Sequence, residues 1–398
     1  MAFDFEKALR RRIEQHTELV ELKNRRLRDD SGVFERWKNP VLTAAHTPLF
    51  WRYDLDRRRN PFLLERLGVQ AVAGAGAIER NGRICLVARV EGRDARSFFA
   101  VAESDNGVDN FRFWDQPVAL PEAKGAEANV SDMRLTVHED GWVYGAFESA
   151  RQGALAEDRA PRTGFVRTRD LVAWDRLDDV RSPSVSLTRV ALHPELVKGQ
   201  YAFYTCPSRQ PPDAIGTGRT AFALCENIEQ PELAEEKIVE ARASFTLKEL
   251  EFGVGPAPFK TAKGWLHLAL AWRLRGGFLQ TVLHPFLSDL EEPWRVIAAP
   301  SGYLLAREWD ADVGGLSAGI SCSGAVLRST GEVFIYYAVS GSRIDVATTT
   351  VERLLDYVIQ APPDPPSAHA SAAQRTALIE RNLKLLARTK VKAYRGLR

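Results

Sequence analysis

Cysteine is scarce in this chain, with four among 398 residues. None of the four stands at the short spacing of a CxxC or zinc motif; they are Cys85, Cys206, Cys225 and Cys322. Scattered cysteines of this kind are typical of buried, reduced thiols, so we expect a cytoplasmic protein. The seven histidines show no HExxH or paired spacing, so we expect no metal site.

Long apolar runs and an excess of one charge are also missing. The apolar runs are too short to span a bilayer, and the N-terminal "MAFDFEKALRRRIEQH" has acids but no apolar stretch, unlike a signal peptide. Lysine and arginine number 54 against 52 acidic residues, and this net charge of +2 indicates no basic domain. The Arg10–Arg12 run is typical of a solvated helix face. We therefore expect neither a membrane nor a nucleic-acid partner.

Several familiar catalytic motifs are absent as well. The sequence has no GxGxxG fingerprint, no P-loop and no nucleophile elbow. These absences argue against a dinucleotide-dependent enzyme, a P-loop NTPase and a serine hydrolase of the α/β type. Catalysis or binding by acidic residues and arginines is not excluded by these absences.

A repeated hairpin is the strongest pattern in the chain. Five apolar segments each lead through a glycine turn into a second apolar segment, and the turn glycines are Gly82, Gly141, Gly199, Gly264 and Gly331. A third apolar segment follows each hairpin, for example "SFFAVAES" and "GFVRTRD". Three to four antiparallel strands repeated five times at nearly equal spacing predict an all-β fold, a five-bladed β-propeller. A pair of β-sandwiches is the alternative, which the even spacing disfavours.

Helical extensions are predicted at both ends of the propeller. Residues 5–27 place apolar residues at roughly helical period, and a second amphipathic pattern covers 371–389 after the proline-rich "APPDPPSAHA" at 361–370. We therefore divide the chain into an N-terminal helical extension (1–38), the propeller (39–360), and a linker with a C-terminal helix (361–398). Such helices favour packing on the propeller rim or on a sister subunit, so a homo-oligomer is expected.

Candidate functional residues are sought where the first strand of each blade starts, because propellers bind ligands at the central channel. These positions, and the strand ends beside them, are rich in acids and arginines; the candidates are Arg89, Glu91, Asp132, Arg134, Arg151, Arg167, His193, Glu195, Glu249 and Glu251. Acids and arginines that converge on a channel suit a polyhydroxylated or anionic ligand. Glycoside cleavage needs one carboxylic acid, together with either a second carboxylate to activate water or phosphate held by cations.

Five segments of the sequence resemble glycoside hydrolase family 130. They are "NPVLTAAHTPLFWRYD" (39–54), "ARVEGRDARSFFAVAESDNGVDNFRFW" (88–114), "DMRLTVHEDGWVYG" (132–145), "LHPELVKGQYAFYT" (192–205) and "VATTTVERLLDY" (346–357). The resemblance runs nearly from end to end. It implies a five-bladed propeller that cleaves β-mannosides with inversion, most often with inorganic phosphate as co-substrate, and that needs no metal or other cofactor.

The resemblance also assigns roles to individual residues. It makes Asp132 the catalytic acid, which protonates the glycosidic oxygen through a mannose hydroxyl, and places Arg89 and Glu91 on the sugar side. Arg151 and Arg167 match two phosphate-binding arginines, whose guanidinium groups suit bidentate contact with phosphate. From their position alone, Arg134, His193 and Glu195 are further candidates for substrate binding.

The chain departs from the family pattern at several polar positions. Glu251 and Leu270 replace a lysine and a histidine of the family's phosphorylases. The remaining departures replace polar or charged residues of the family and are Gly74, Ser131, Cys206, Gly315, Ala318 and Gly341. An acid in place of a cation weakens phosphate binding, and glutamates at such places serve as the base in the family's hydrolases. We therefore favour hydrolysis of an oligosaccharide or disaccharide, with Asp132 as acid and Glu251 as base.

Two other interpretations stay open at this point. Arg151 and Arg167 support a phosphorylase of altered specificity, with phosphate as co-substrate. The lost polar positions are also compatible with a carbohydrate-binding propeller that has no activity.

Overall fold

The computed structural model describes most of the chain. The described residues are 3–27, 31–122, 127–151, 162–183, 186–208, 220–239, 249–275, 278–306, 319–363 and 365–388. Five antiparallel sheets of four to six strands follow one another along the chain. They form the five blades of a β-propeller, so the predicted fold class is confirmed.

The N-terminal part of the chain precedes blade one. Its elements are α1 (Phe5–Val20), β1 (Glu35–Arg36), β2 (Leu42–Thr43) and α2 (Leu49–Arg52). Helix α1 begins where the Asp4 side chain accepts a hydrogen bond from the Lys7 backbone N–H at 3.1 Å. It is shorter than the predicted 5–27. Phe5 anchors it in a small cluster with Tyr53 and Leu63.

Blades one to three each contain four strands in consecutive order. Blade one consists of β3 (Val69–Arg80), β4 (Arg83–Gly92), β5 (Ser97–Ser104) and β6 (Arg112–Phe113). Blade two consists of β7 (Glu127–Val137), β8 (Val143–Arg151), β9 (Arg162–Thr168) and β10 (Trp174–Arg176). Blade three consists of β11 (Ser186–Leu192), β12 (Tyr201–Ser208), β13 (Ala221–Cys225) and β14 (Lys237–Ile238).

Blade four divides its first strand into two pieces, and blade five takes strands from both ends of the chain. Blade four consists of β15 (Glu249–Gly253), β16 (Phe259–Thr261), β17 (Gly264–Arg275), β18 (Phe278–Ser288), β19 (Val296–Ala298) and β20 (Leu305–Ala306). Blade five consists of β21 (Ile320–Leu327), β22 (Glu332–Val339) and β23 (Arg343–Thr350), with β1 and β2 paired to β23. The N-terminal strands thus complete the last blade.

Each predicted glycine turn joins the first two strands of a blade. Gly141, for example, has φ of 84° in the turn between β7 and β8, a backbone conformation that favours glycine. The other four glycines also have positive φ values. All five predicted hairpins are therefore confirmed.

Neighbouring blades are held together by clusters of buried apolar side chains. Phe99 of blade one packs edge-to-face on Phe147 of blade two, with ring centroids 5.5 Å apart. Phe165 of blade two packs in the same way on Phe203 of blade three. Because both faces of a blade meet another blade, its central strands are apolar along most of their length.

The chain after blade five forms two helices. Helix α3 (Val351–Gln360) buries Leu354 and Val358 against blades four and five, and α4 (Ala368–Arg388) follows. Four large apolar residues of α4 are exposed; they are Leu378, Ile379, Leu383 and Leu385. No helix within the described ranges is both long and apolar enough to cross a membrane. The expected homo-oligomer remains a prediction.

Candidate active site

The first strands of blades one, two, three and five lie innermost, because they contact one another. Each carries a bulge, an irregularity in its pairing with the second strand of its blade. In blades one, two and three the first residue of the bulge has a left-handed backbone, with φ of 57° at Gly74, 53° at Asp132 and 53° at Arg189. β15 of blade four also shifts register, between Glu249 and Glu251. A bulge re-aims a side chain out of the regular alternation of the strand, so these positions mark a candidate site around the propeller axis.

Asp132 is turned from blade two toward blade one. A Cβ added to Gly74 would lie 2.7 Å from Asp132 Oδ1, so the carboxylate occupies the space that a side chain at position 74 would need. Aspartate tolerates the left-handed backbone better than most residues, and non-glycine residues held there cluster at functional sites. The resemblance predicts a polar residue where Gly74 stands. Because glycine stands there instead, the Asp132 carboxylate can lie against the first strand of blade one.

Arg189 makes the corresponding contact on the other side. A Cβ added to Gly253 in blade four would lie 2.9 Å from Arg189 Nη1 and 3.6 Å from Cys206 Sγ. The half-buried Arg189 therefore crosses from blade three to blade four over a residue without a side chain. Its guanidinium lies 5.7 Å from the ring centroid of Trp272.

Arg134 connects blades two and four by hydrogen bonds. Its side chain is 2% exposed, and its guanidinium donates to Gly255 O at 3.1 Å, to Asp132 O at 3.1 Å and to Val254 O at 3.5 Å. Burial lowers the pKa of Arg134 from its usual range. These bonds hold the backbone of Asp132 in place. Carbonyl oxygens thus accept from three of the five N–H donors of Arg134, and its predicted direct contact with substrate remains a prediction.

Glu148 brings a second carboxylate to Asp132. It lies on β8 opposite Ser131, and its Oε1 accepts a hydrogen bond from the Arg189 backbone N–H at 3.2 Å. Burial, reinforced by the negative charge of Asp132, raises the pKa of Glu148 above its usual value. Sequence reasoning missed this residue.

Comparison with known proteins shows the family of this chain. The sequence profile of glycoside hydrolase family 130, described as beta-1,4-mannooligosaccharide phosphorylase, matches residues 70–360. The chain is 46% identical over 380 residues to the 4-O-beta-D-mannosyl-D-glucose phosphorylase of Bacteroides fragilis, covering 93% of this chain and 96% of that protein. The chain belongs to glycoside hydrolase family 130.

A partial sequence match and a solved structure extend the comparison. Over 178 residues the chain is 28% identical to the beta-1,4-mannooligosaccharide phosphorylase of Ruminococcus albus, covering 42% of this chain and 49% of that protein. The beta-1,2-mannobiose phosphorylase of Listeria innocua has the same fold, with a TM-score of 0.62 at 15% identity over 85% of this chain and 99% of its own. The profile match and the identity to the Bacteroides fragilis protein make this chain a family 130 enzyme, as the resemblance implied.

The structure brings Arg89 and Glu91 to the same end of the propeller as Asp132. On β4, Arg89 pairs with Ala73, the residue before Gly74, and Glu91 pairs with Ala71. Arg89 Nη2 and Glu91 Oε2 form an ion pair at 3.1 Å. Arg89 and Glu91 therefore lie where a contact with the sugar requires them, and that contact remains a prediction.

Arg167 is not brought to Asp132. It stands on β9 opposite Tyr144, four residues along β8 from Glu148, which is about 13 Å at the rise of a strand. Its guanidinium pairs with Asp175 and Glu229 and lies 4.5 Å from the Trp142 ring centroid. These partners occupy the group that the resemblance assigns to phosphate.

His193 and Glu195 also lie at the far end of the blade. The expectation that they face the channel is wrong, because β11 begins at Ser186 and both residues follow its end, in the hairpin. His193 is buried, which lowers its pKa to about 4, and Glu195 pairs with Lys260 at 2.6 Å.

The remaining candidates are described by their backbone alone. Arg151 ends β8 opposite Glu127, and Glu251 stands on β15 opposite Trp272. The side chains of Arg151, Glu249 and Glu251 lie outside the described residues. Within the described ranges, no group of three or more histidine, cysteine, aspartate or glutamate residues could hold a metal ion.

The raised pKa of Glu148 gives a prediction about stability. The folded protein holds the Glu148 proton more tightly than the unfolded chain does, so its contribution to stability is complete below the usual pKa of glutamate and is lost as pH rises through the raised value. Glu148→Gln cannot ionise and keeps an oxygen for the Arg189 N–H. We expect this variant to resist urea better than wild type at about pH 7.5 and equally at about pH 4.

Urea denaturation at both pH values makes this measurement. The control is Glu103→Gln, because Glu103 also lies on a blade strand but pairs with Arg83 at 2.8 Å. The control should show no gain at neutral pH. A Glu148→Gln variant less stable than wild type at neutral pH would mean that the ionised carboxylate stabilises the fold through its arginine neighbours.

Proposed function

We propose that this family 130 enzyme hydrolyses a β-mannoside-type glycosidic bond with inversion, using Asp132 as the general acid. The observation that carries the proposal is the left-handed bulge that places the Asp132 carboxylate on an innermost strand, against Gly74. A general acid must come within hydrogen-bond reach of the leaving oxygen or of a group that relays its proton. Asp132 is half-buried, so its side chain is partly open to solvent.

Water is the proposed acceptor because two of the arginines considered for ligand binding have protein partners. The Arg134 guanidinium is bonded to backbone carbonyls, and Arg167 is ion-paired elsewhere.

Glu251 is the proposed base. It stands on the first strand of blade four, after a register shift like those at Asp132 and Arg189. An inverting hydrolase separates its two carboxyl groups by about 6.5–9.5 Å, which leaves room for the attacking water. Asp132 belongs to blade two and Glu251 to blade four, and the proposal requires that separation between their carboxyl groups.

Phosphorolysis is the second candidate. It is favoured by the 46% identity, over nearly the whole chain, to a Bacteroides fragilis protein named as a phosphorylase. Arg151 ends the strand that carries Glu148, and Arg189 crosses the site from blade three. A phosphate held there would replace the water as nucleophile.

The deciding measurement is a panel of β-mannosyl disaccharides, incubated with and without inorganic phosphate. We expect free sugars in phosphate-free buffer, with the α-anomer of the released sugar formed first, as proton NMR can follow. Glu251→Gln should lower this hydrolysis by about 10²-fold or more, whereas the neighbouring control Glu249→Gln should leave it unchanged.

Two other results would overturn the proposal. Formation of a sugar 1-phosphate only in the presence of phosphate would establish phosphorolysis instead. Saturable glycan binding without turnover across the panel would show a binding protein that has lost the reaction.

A further inference from the structure

The innermost strand of blade one carries two bulges. The pairing of β3 with β4 shifts at Gly74, against which Asp132 lies, and it also shifts at Gln70, near the start of the strand. A bulge sets two residues of one strand opposite a single residue of its partner, and it re-aims their side chains. Gln70 is the extra residue here, beside Ala71, which pairs with Glu91. The first bulge thus brings an amide side chain next to Glu91.

The Glu91 carboxylate is held from two sides. Gln70 Nε2 donates a hydrogen bond to Glu91 Oε1, and Arg89 Nη2 forms an ion pair with Glu91 Oε2 at 3.1 Å. A carboxylate has about four acceptor sites on its two oxygens, so one contact to each oxygen leaves sites for further donors. The Glu91 side chain is 23% exposed, so these contacts do not seal it off from a ligand.

The three side chains form a row that leads to the proposed acid. The cross-strand partners of Arg89 and Glu91 on β3 are both alanines, whose short side chains leave space for longer neighbours. Residues two apart in a strand share a face, so Arg89 and Glu91 lie side by side. The row starts at Gln70 and ends beside Gly74, where the Asp132 carboxylate lies.

The backbone ahead of Gln70 is fixed by contacts with the turn after β4. The Arg93 N–H donates to Gly68 O at 2.9 Å, and Arg93 Nη2 pairs with Glu65 Oε2 at 2.9 Å. Glu65 also pairs with Arg52 of α2. The start of β3 is therefore held in place without a ligand, and such preorganisation lowers the entropic cost of a contact made through Gln70.

We propose that Gln70 is a positioning residue, which holds the Glu91 carboxylate in the direction that accepts hydrogen bonds from the hydroxyls of a sugar. An amide donates without a charge of its own, so Glu91 remains an acceptor for neutral donors. The inference rests on the proposed function in one respect, that the sugar binds beside Asp132. It is the same whether water or phosphate attacks. Gln70 is not among the candidates that the sequence marks.

Calorimetric binding to proteins that carry Asp132→Asn tests the proposal without requiring turnover. The probe is the β-mannosyl disaccharide of the panel that the Asp132→Asn protein binds most tightly. Adding Gln70→Met, which keeps nearly the same length but lacks the donor, should weaken binding at least about tenfold, because Glu91 loses one of the two groups that orient it. Equal affinity with and without Gln70→Met would overturn the proposal.

Gln70→Glu, in the same Asp132→Asn protein, gives a readout that a merely structural role would not move. Two carboxylates then face each other at about pH 7.5, so binding should be as weak as in Gln70→Met. Because neighbouring like charges raise pKa values, one of the two carboxyls takes up a proton as pH falls toward about 5 and can donate to the other. Binding should therefore recover at that pH in Gln70→Glu and not in Gln70→Met. Equally weak binding at both pH values would mean that Gln70 only fills space.

The matched control is Gln200→Met. Gln200 also donates through its amide to a glutamate, Glu226 Oε1 at 3.2 Å, but it lies in the hairpin of blade three, at the opposite end of the propeller. This variant should bind the probe as its Asp132→Asn parent does. With Asp132 intact, Gln70→Met should raise KM about tenfold and leave kcat within about twofold, with an unchanged melting temperature.

Failure of the proposed reaction gives a different pattern. A sugar 1-phosphate formed only with phosphate would refute hydrolysis, while the tenfold loss of binding in Gln70→Met would still establish the positioning role. Equal binding by Gln70→Met in a protein that hydrolyses the disaccharide would refute that role and leave the proposed function standing.

Discussion

Asp132→Asn lowers turnover of the β-mannoside substrate by about a thousandfold, the expected loss when a positioned general acid can no longer give up a proton. Asparagine has nearly the size of aspartate and also tolerates the left-handed backbone, so the bulge at position 132 and the contact with Gly74 are kept. The amide cannot protonate the leaving oxygen. The loss should appear in the rate of the chemical step at saturating substrate.

The control for this variant is Asp105→Asn, an exposed aspartate paired with Arg83 far from the site. It should react at the wild-type rate. Thermal melting of both variants separates lost chemistry from lost folding. An Asp132→Asn protein that melts like wild type and still cleaves at more than about a tenth of the wild-type rate would rule out Asp132 as the acid.

Arg134→Met should destabilise the folded protein by about 3 kcal/mol or more, the second large effect. Methionine fills much of the same volume but leaves the carbonyls of Asp132, Val254 and Gly255 without the donor that each has now. These carbonyls belong to blades two and four. The substitution therefore removes a polar connection across the propeller axis.

Urea denaturation of Arg134→Met, beside Arg83→Met, measures this effect. Arg83 makes exposed ion pairs, so its loss should cost less than about 1 kcal/mol. Arg134→Lys should fall between the two, because one ammonium cannot reproduce the planar fork of donors. An Arg134→Met protein as stable as the Arg83→Met control would mean that the buried guanidinium contributes nothing net to the fold.

Most of the fold could be predicted from the sequence because each blade repeats the same local signal. A glycine that must adopt positive φ, such as Gly141 or Gly199, stands between two apolar segments, and both properties are visible in one sequence. The end of the N-terminal helix was less accurate: α1 ends at Val20, whereas the amphipathic pattern continues to residue 27.

The site was predictable only in part. The motif around Asp132 pointed to a residue that the structure places on an innermost strand. The position of His193 ahead of its hairpin, by contrast, suggested a place at the channel that β11 does not give it. Counting back from the turn glycine would have found Arg189, which stands at nearly the same distance before Gly199 as Asp132 does before Gly141. A bulge has no signature in hydrophobic periodicity. The closeness of Glu148 to Asp132 depends on that bulge and on strand register, so the sequence pattern did not reveal it.

The N-terminal strands that complete blade five have a consequence for how the chain folds. The Thr349 hydroxyl donates to the Val33 carbonyl, across a sequence separation of 316 residues. β1 and β2 are synthesised first, yet their partner β23 emerges only after the other blades. Closure of so long a loop is entropically costly and slow, so the ring should close as a late step. Until then the apolar edges of blades one and five remain uncovered, and chaperone binding or aggregation competes with closure.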